Sequence, residues 1–146
     1  LKSGGDLPTV YRALIEAPEV WAAQPAKFKT PWDLSVSTMR ALGYREAPPL
    51  PTVGLLNQLG QPVWKPGSPA GYDDVVGSWA GPDAVMRRVE AAEWFASRAD
   101  AVDARALAPR LYPAALSDGT QQQLARAESP GQALALLLVA PEAMRR

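Results

Sequence analysis

The loop between residues 61 and 81 holds the residues of this sequence whose types best suit ligand binding. It contains three aromatic residues and two adjacent acids, which are Trp64, Tyr72, Asp73, Asp74 and Trp79. Aromatic rings beside carboxylates can stack on, and hydrogen-bond to, a sugar or a similar polar ring. The alternative, which we favour, is that Trp64 and Trp79 anchor the loop on neighbouring helices. On either interpretation we expect an ordered loop that borders the best pocket and exposes Tyr72, Asp73 and Asp74 at its tip.

Acids in and after this loop leave carboxylate chemistry open. The chain has no cysteine and no histidine, which excludes thiol nucleophiles, disulfides, Cys/His zinc sites and Ser-His-Asp catalysis within it. A glycosidase needs two carboxylates about 5–10 Å apart across a cleft. The acids available here are Asp73, Asp74, Asp83, Glu90 and Glu93.

Simpler roles suit these acids better. Asp83 suits the first turn of a helix, where the helix dipole favours a negative charge. Glu90 and Glu93 lie within reach of surface arginines on the same helix. The Asp73–Asp74 pair offers oxygen ligands for calcium, but EF-hand spacing is absent from the sequence. We therefore predict no catalytic residue, no cofactor and no metal site.

Several charged and aromatic residues outside the loop could bind a ligand or could be purely structural. Arg40 lies in an apolar helix, where it can bind an anionic group, although a snorkelling or locally paired arginine is the interpretation we favour. We interpret the pair Arg87 and Arg88 as solvated or capping. We place four aromatic residues at helical spacing in the core, which are Trp21, Trp32, Trp94 and Phe95. The ligand-binding candidates are then Tyr72, Asp73, Asp74, Trp79 and Arg40.

The composition bounds the class of protein. The 146 residues suffice for one domain with its own core, and a hydrophobic fraction of 47% is typical of a globular chain. Fifteen basic residues balance fifteen acidic ones, which argues against a nucleic-acid partner. No apolar run approaches the roughly 18 residues that suggest a membrane span. We expect the partner to be the remainder of the same polypeptide or another protein.

Helix signals recur along the chain and predict the elements that position these residues. Asp6 can cap a first helix, and Thr30-Pro31 with Asp33 resembles a capping box. Gly81 and Pro82 open the longest helix, on which Val85, Val89 and Ala92 form an apolar stripe widened by Met86, Trp94 and Phe95. The sequence at 129–132 is a second capping box.

Weaker patterns predict further helices over residues 52–59, from Asp103 to about 110, and from Thr120 to about 127. No run shows the alternation of a strand. The prediction is an all-α, irregular assembly of six or seven short helices with long Pro/Gly-rich loops. These loops are too long and unequal for an up-down bundle.

Three stretches of the chain resemble the C-terminal part of the bacterial domain of unknown function 1800 family. They are residues 28–43, residues 59–63 with the loop that reaches Trp79, and residues 129–146. The chain departs from the family at the loop, where a usual Gly-Trp-Pro is replaced by Gly71-Tyr72-Asp73. The resemblance implies a helical, exported protein and carries over no catalytic residues.

Two hypotheses for function follow from the sequence. The first is a single helical domain over 1–146 that forms the C-terminal fragment of a longer exported bacterial protein and acts as a non-catalytic scaffold or binding region. A fragment of this kind should leave a contiguous apolar patch that belongs to missing sequence. The alternative is the C-terminal part of a polysaccharide-active hydrolase whose catalytic groups lie mostly upstream.

Overall fold

The computed structural model describes residues 3–21, 25–100 and 102–146, and this part of the chain is helical without a strand. The all-α prediction is therefore confirmed. The helices are α1 Leu7–Glu16, α2 Pro31–Ala41, α3 Pro49–Gln58, α4 Val76–Trp79, α5 Pro82–Ala96, α6 Ala104–Leu111, α7 Asp118–Arg126 and α8 Pro130–Leu138. A 3₁₀ turn, Pro18–Trp21, follows α1. These eight exceed the six or seven expected because the loop between α3 and α5 contains the one-turn helix α4.

Side-chain caps start several helices where the sequence predicts them. The Thr30 hydroxyl accepts from the Asp33 amide at 3.2 Å, and the Asp33 carboxylate accepts from the Thr30 amide at 3.2 Å, which completes a capping box. Asp6 caps α1 by accepting from the Thr9 amide, and Ser129 caps α8 by accepting from the Gln132 amide. The Gln132 side chain accepts from the Glu128 amide instead of the Ser129 amide, so the predicted capping box at 129–132 forms only in part. The predicted start of α7 at Thr120 is wrong, because the Ser117 hydroxyl accepts from the Thr120 amide and begins that helix earlier.

The core forms around α8, which packs against α5, α6 and α7, while α2 packs against α3. Leu134, Leu137 and Leu138 of α8 are almost fully buried. Phe95 of α5 and Leu124 of α7 lie in the same hydrophobic cluster. The strong burial of the α8 leucines follows from their spacing, since residues three and four apart share one face of a helix.

A short antiparallel contact ties the two flanks of this core together. The Lys27 amide donates to the Arg146 carbonyl at 3.1 Å, and the Lys29 amide donates to the Met144 carbonyl at 2.8 Å. Phe28 and Arg145 form the isolated β-bridge between these bonds. The segment before α2 is therefore held against the segment after α8.

Arg88 of α5 lies under this contact and is only 2% exposed. Its Nη2 donates to the Lys29 carbonyl at 2.8 Å, and its guanidinium lies 4.6 Å from the centre of the Phe28 ring. The interpretation of Arg88 as a solvated residue is wrong. The predicted stripe on α5 is also rotated, because Arg88 shares the buried face with Phe95 while Val85 and Met86 are exposed.

Three of the four aromatic residues assigned to the core are instead exposed. Trp21 is 70% exposed, Trp32 is 53% exposed and Trp94 is 37% exposed, whereas Phe95 is buried as predicted. Helical spacing alone cannot identify the buried face of short helices that pack on one side only. Trp94 still packs edge-on against Phe95, with ring centres 5.0 Å apart.

Helix α1 differs from the other long helices because it buries no residue. Its clearest neighbour in the described part of the chain is the 3₁₀ turn, where the Trp21 indole donates to the Ile15 carbonyl. Among the described residues, we find no helix with the length and apolar character needed to cross a membrane.

Candidate functional site

The loop between α3 and α5 is held by hydrogen bonds that its own aromatic residues donate. The Tyr72 hydroxyl donates to the Pro62 carbonyl, and the Trp79 indole donates to the Asp73 carbonyl at 2.8 Å. The Tyr72 and Trp79 rings pack at a tilt of 54° with centres 6.2 Å apart. Three of the candidates, Tyr72, Asp73 and Trp79, are thus brought together, and their contacts give the loop a defined conformation.

The two tryptophans of the loop have opposite environments. Trp79 is 6% exposed and anchors the loop, as predicted. Trp64 is 96% exposed and adopts a positive φ of 57°, so its predicted role as an anchor is wrong. Tyr72 is half-buried rather than exposed at the tip, because its hydroxyl reaches back to Pro62. The cavities described below are lined by other residues, so the expectation that this loop borders the best pocket is also wrong.

The acids near the loop are engaged by neighbouring side chains. Asp73 accepts from the Ser78 hydroxyl at 2.8 Å, and Asp74 forms an ion pair with Lys27. Asp83 pairs with Arg87 one helical turn later at 2.7 Å. In the part of the chain that the structure describes, no three Asp, Glu, His or Cys residues cluster as a metal site would require.

Arg40, the remaining candidate, lies away from the loop in a groove on the outer side of α2. Trp32, Val36 and Arg40 follow one another at intervals of four residues, and Asp33, Ser37 and Ala41 do the same. Two adjacent rows of one helix therefore form a single wall of the groove. Leu111, from the end of α6, and Arg146 contribute from the other side, and the groove has a volume of about 430 Å³.

The charges around this groove, which we call the basic groove, are unevenly paired. Arg146 pairs with Asp33 at 3.1 Å. Lys29 donates to the Ser37 hydroxyl at 3.1 Å, and its pKa is lowered by burial, which the negative charge of Asp33 only partly offsets. Arg40 is exposed, and among the described residues its side chain has neither an ion pair nor a hydrogen bond. The groove therefore holds more positive than negative charge.

Sequence reasoning identified Arg40 but missed Lys29, Trp32 and Arg146 as residues of the same groove. The interval of four residues between Trp32 and Arg40 was a usable signal, because it places both on one face of α2. Lys29 precedes the helix and Arg146 lies more than a hundred residues away. Only the contact between the segments at 27–29 and 144–146 brings these two side chains to α2.

A second groove of about 380 Å³ lies between α7 and the end of α8, with an apolar wall that includes Leu124, Leu136 and Val139. Near it, Glu142 accepts from the Ser117 amide at 2.8 Å and from the Thr120 hydroxyl. Burial alone would raise the pKa of Glu142, but these hydrogen bonds outweigh it and lower the pKa. Glu142 is therefore a charged cap for α7, a role that we did not predict.

Helix α1 carries a row of exposed apolar side chains. Five apolar side chains on this helix are each 44–60% exposed, and they are Leu7, Val10, Tyr11, Leu14 and Ile15. Val20 and Trp21 of the following turn are also exposed. We call these seven residues the α1 face.

Together these features define an irregular all-α protein with an uncovered apolar helix face and a separate basic groove. The chain belongs to the family described as protein of unknown function (DUF1800), whose model matches residues 1–145. No curated protein and no solved structure matches it significantly.

Proposed function

We propose that this chain is a non-catalytic helical binding region of a larger exported bacterial protein, and that its α1 face packs against another region of that protein. The single observation that carries the proposal is the α1 face. An amphipathic helix normally turns its apolar stripe towards a core. On α1 that stripe is uncovered in the described part of the chain.

The free energy of burying apolar side chains favours covering the α1 face in the larger protein. Fully burying one large apolar side chain contributes about 1.5–3 kcal/mol, and since these five are already about half covered, completing their burial gives a gross gain of roughly 4–8 kcal/mol. Ordering and association consume much of this gain. Packing within one polypeptide avoids most of the translational cost, because the two surfaces are already linked.

The charges beside the α1 face favour a protein surface over a membrane or a nucleic acid. Asp6, Glu16 and Glu19 are acidic, and Arg12 is the single basic residue between Asp6 and Trp21. Helices that bind anionic lipid surfaces are rich in lysine and arginine on their polar side. Nucleic acids likewise require basic residues to neutralise phosphates.

The position of this region within a larger, exported bacterial protein is supported by the resemblance of three stretches to the C-terminal part of family members. Export is tested separately, by separating cell fractions of the source organism and detecting the protein with an antibody. Recovery with the cytoplasmic fraction alone would remove export from the proposal. The alternative of a polysaccharide-active hydrolase gains no support from Asp73, Asp74 and Asp83, whose carboxylates are engaged by neighbouring side chains.

Cysteine labelling tests the α1 face, because the native chain has no cysteine of its own. We would compare Leu14→Cys, on the apolar side of α1, with Glu16→Cys on the opposite side. Each variant is made in the 146-residue chain and in the full-length gene product, and the rate of maleimide modification is measured. We expect similar rates in the isolated chain, and at least tenfold slower labelling of L14C than of E16C in the full-length protein.

Two results would contradict this proposal. Equal labelling of both variants in the full-length protein would show that the α1 face stays uncovered. Protection of L14C in the isolated chain that grows with protein concentration would show that a second copy of the chain covers the face instead.

A further inference from the structure

The basic groove combines three features that suit a bound ligand. It has a defined volume of about 430 Å³, three cationic side chains at its rim, and the half-exposed indole of Trp32 on one wall. The proposed function uses none of these residues. The groove also lies on α2, whereas the surface proposed for protein contact lies on α1.

The side chains that line the groove carry more positive than negative charge. Lys29, Arg40 and Arg146 supply three positive charges, and Asp33 is the one acid that lines the groove. Asp33 already receives hydrogen bonds from the Thr30 amide and hydroxyl, and it pairs with Arg146. In the described part of the chain, Arg40 and Lys29 therefore have no ion pair of their own, and Lys29 feels only part of the charge of an Asp33 that already pairs with Arg146.

Lys29 is partly buried at the groove. Its ammonium group donates to Ser37, which leaves further donor capacity towards the groove. Burial lowers the pKa of Lys29, so the folded protein disfavours the charge that this side chain carries at neutral pH. An anion bound beside it would restore favourable surroundings for that charge.

The walls of the groove are partly apolar and partly charged. Val36, Ala41 and Leu111 give the groove an apolar side, and Trp32 offers a ring that is 53% exposed. An inorganic anion would contact the cations and leave this side unused. A ligand in which a ring is joined to an anionic group would use both, by stacking on Trp32 while the charge meets Arg40 and Lys29.

We propose that the basic groove binds a small organic anion whose carboxylate is attached to a ring, with Arg40 and Lys29 holding the carboxylate and Trp32 holding the ring. Arg40 can present two parallel N–H donors to the two carboxylate oxygens. Asp33 keeps Arg146 in place at the rim and limits the number of anions that the groove attracts.

The experiment uses the 146-residue chain and three probes, which are benzoate, D-glucuronate and inorganic phosphate. Affinities come from isothermal titration calorimetry at low salt, and contact with Trp32 is followed through its indole resonance in NMR, assigned with Trp32→Phe. We expect benzoate or glucuronate to bind and to shift the Trp32 signal. Arg40→Gln should weaken that binding at least tenfold, since a charge-assisted hydrogen bond contributes that much or more.

Arg45→Gln is the matched control, because Arg45 is an exposed arginine just beyond α2 and does not line the groove. It should bind the probes like the parent chain, and both variants should keep the parent's circular dichroism spectrum. The proposal is overturned by equal weakening in the two variants, or by failure of both ring-bearing probes to bind at millimolar concentration. Phosphate binding as tight as that of the ring-bearing probes would also overturn it, by showing a site for simple counter-ions.

Discussion

Removing the buried guanidinium of Arg88 is the sharpest test of how this fold is held together. Arg88 and Arg87 are adjacent in sequence and identical in type, yet Arg88 is 2% exposed while Arg87 reaches the surface. Arg88 supports the contact between the segments at 27–29 and 144–146, because its Nη2 donates to the Lys29 carbonyl. The basic groove depends on that contact for two of its cations.

The expected loss of stability for Arg88→Ala is about 3 kcal/mol, the sum of four effects, one of which opposes the other three. The charged hydrogen bond to Lys29 contributes roughly 1.5–3 kcal/mol, and the position over the Phe28 ring about 1–2 kcal/mol. Against this, burial lowers the pKa of Arg88 to about 10, which corresponds to roughly 3 kcal/mol against the charged form. The buried hydrocarbon stem then adds about 2 kcal/mol that alanine cannot replace.

Urea denaturation followed by far-UV circular dichroism measures the effect, with Arg87→Ala as the control. Arg87 pairs with Asp83 and donates to the Gln58 carbonyl at 3.0 Å, both on the protein surface, where an exposed ion pair contributes about 0–1 kcal/mol and the hydrogen bond adds about 1 kcal/mol. With a slope of about 1–3 kcal/mol per molar urea, Arg88→Ala should lower the midpoint by at least about 1 M. Arg88→Met keeps the stem and should cost less than about 2 kcal/mol. Equal midpoints for R87A and R88A would refute the conclusion that Arg88 stabilises the contact between the segments at 27–29 and 144–146.

Three further predictions concern a cap, an acid and an aromatic anchor. Thr30→Ala should lower the free energy of unfolding by about 0.5–2 kcal/mol in the same assay, and an unchanged value would refute the capping box. The lowered pKa of Glu142 favours its charged form in the folded state, so its stabilisation is full at neutral pH and is lost as the pH falls through that lowered pKa. Glu142→Gln should thus lower the free energy of unfolding by about 1 kcal/mol at neutral pH and by little in strong acid. A difference between the parent chain and the variant that stays the same at both pH values would contradict this. Trp79→Ala should cost roughly 3 kcal/mol, whereas Trp64→Gly should be near neutral because glycine adopts a positive φ without strain. Similar losses for these two variants would contradict their assigned roles.

Local signals in the sequence were sufficient for most of the fold. The caps at Asp6, Thr30 and Ser129 act between residues three apart, so their effect does not depend on the rest of the protein. Gly43 and Gly60 follow α2 and α3 with φ values of 78° and 87°, which favour glycine. Helix type and most helix positions therefore followed from neighbouring residues, with α4 and the start of α7 as the exceptions.

The faces of the helices could not be predicted in the same way. On α5 the sequence offers Val85 and Met86 as apolar residues, yet the fold buries Arg88 beside Phe95. This choice depends on the Lys29 carbonyl, which arrives from the segment before α2 and gives the guanidinium a partner. A buried arginine is tolerated only where such partners exist, and they are not visible within its own helix.

The same limit applies to charge, because the net charge of a chain does not say where its charged residues lie. Fifteen basic and fifteen acidic residues give a net charge of zero, which argues against large charged surfaces. Folding nevertheless separates the charges locally, since Lys29 and Arg146 are carried to Arg40 of α2, while fourteen of the fifteen acids lie outside that helix. A ligand at the groove responds to the nearby charges, because screening at physiological salt limits their reach to about 8 Å. Neutral composition therefore argues against an extended basic surface of the kind that nucleic-acid binding requires, but it is compatible with a site that holds a single small anion.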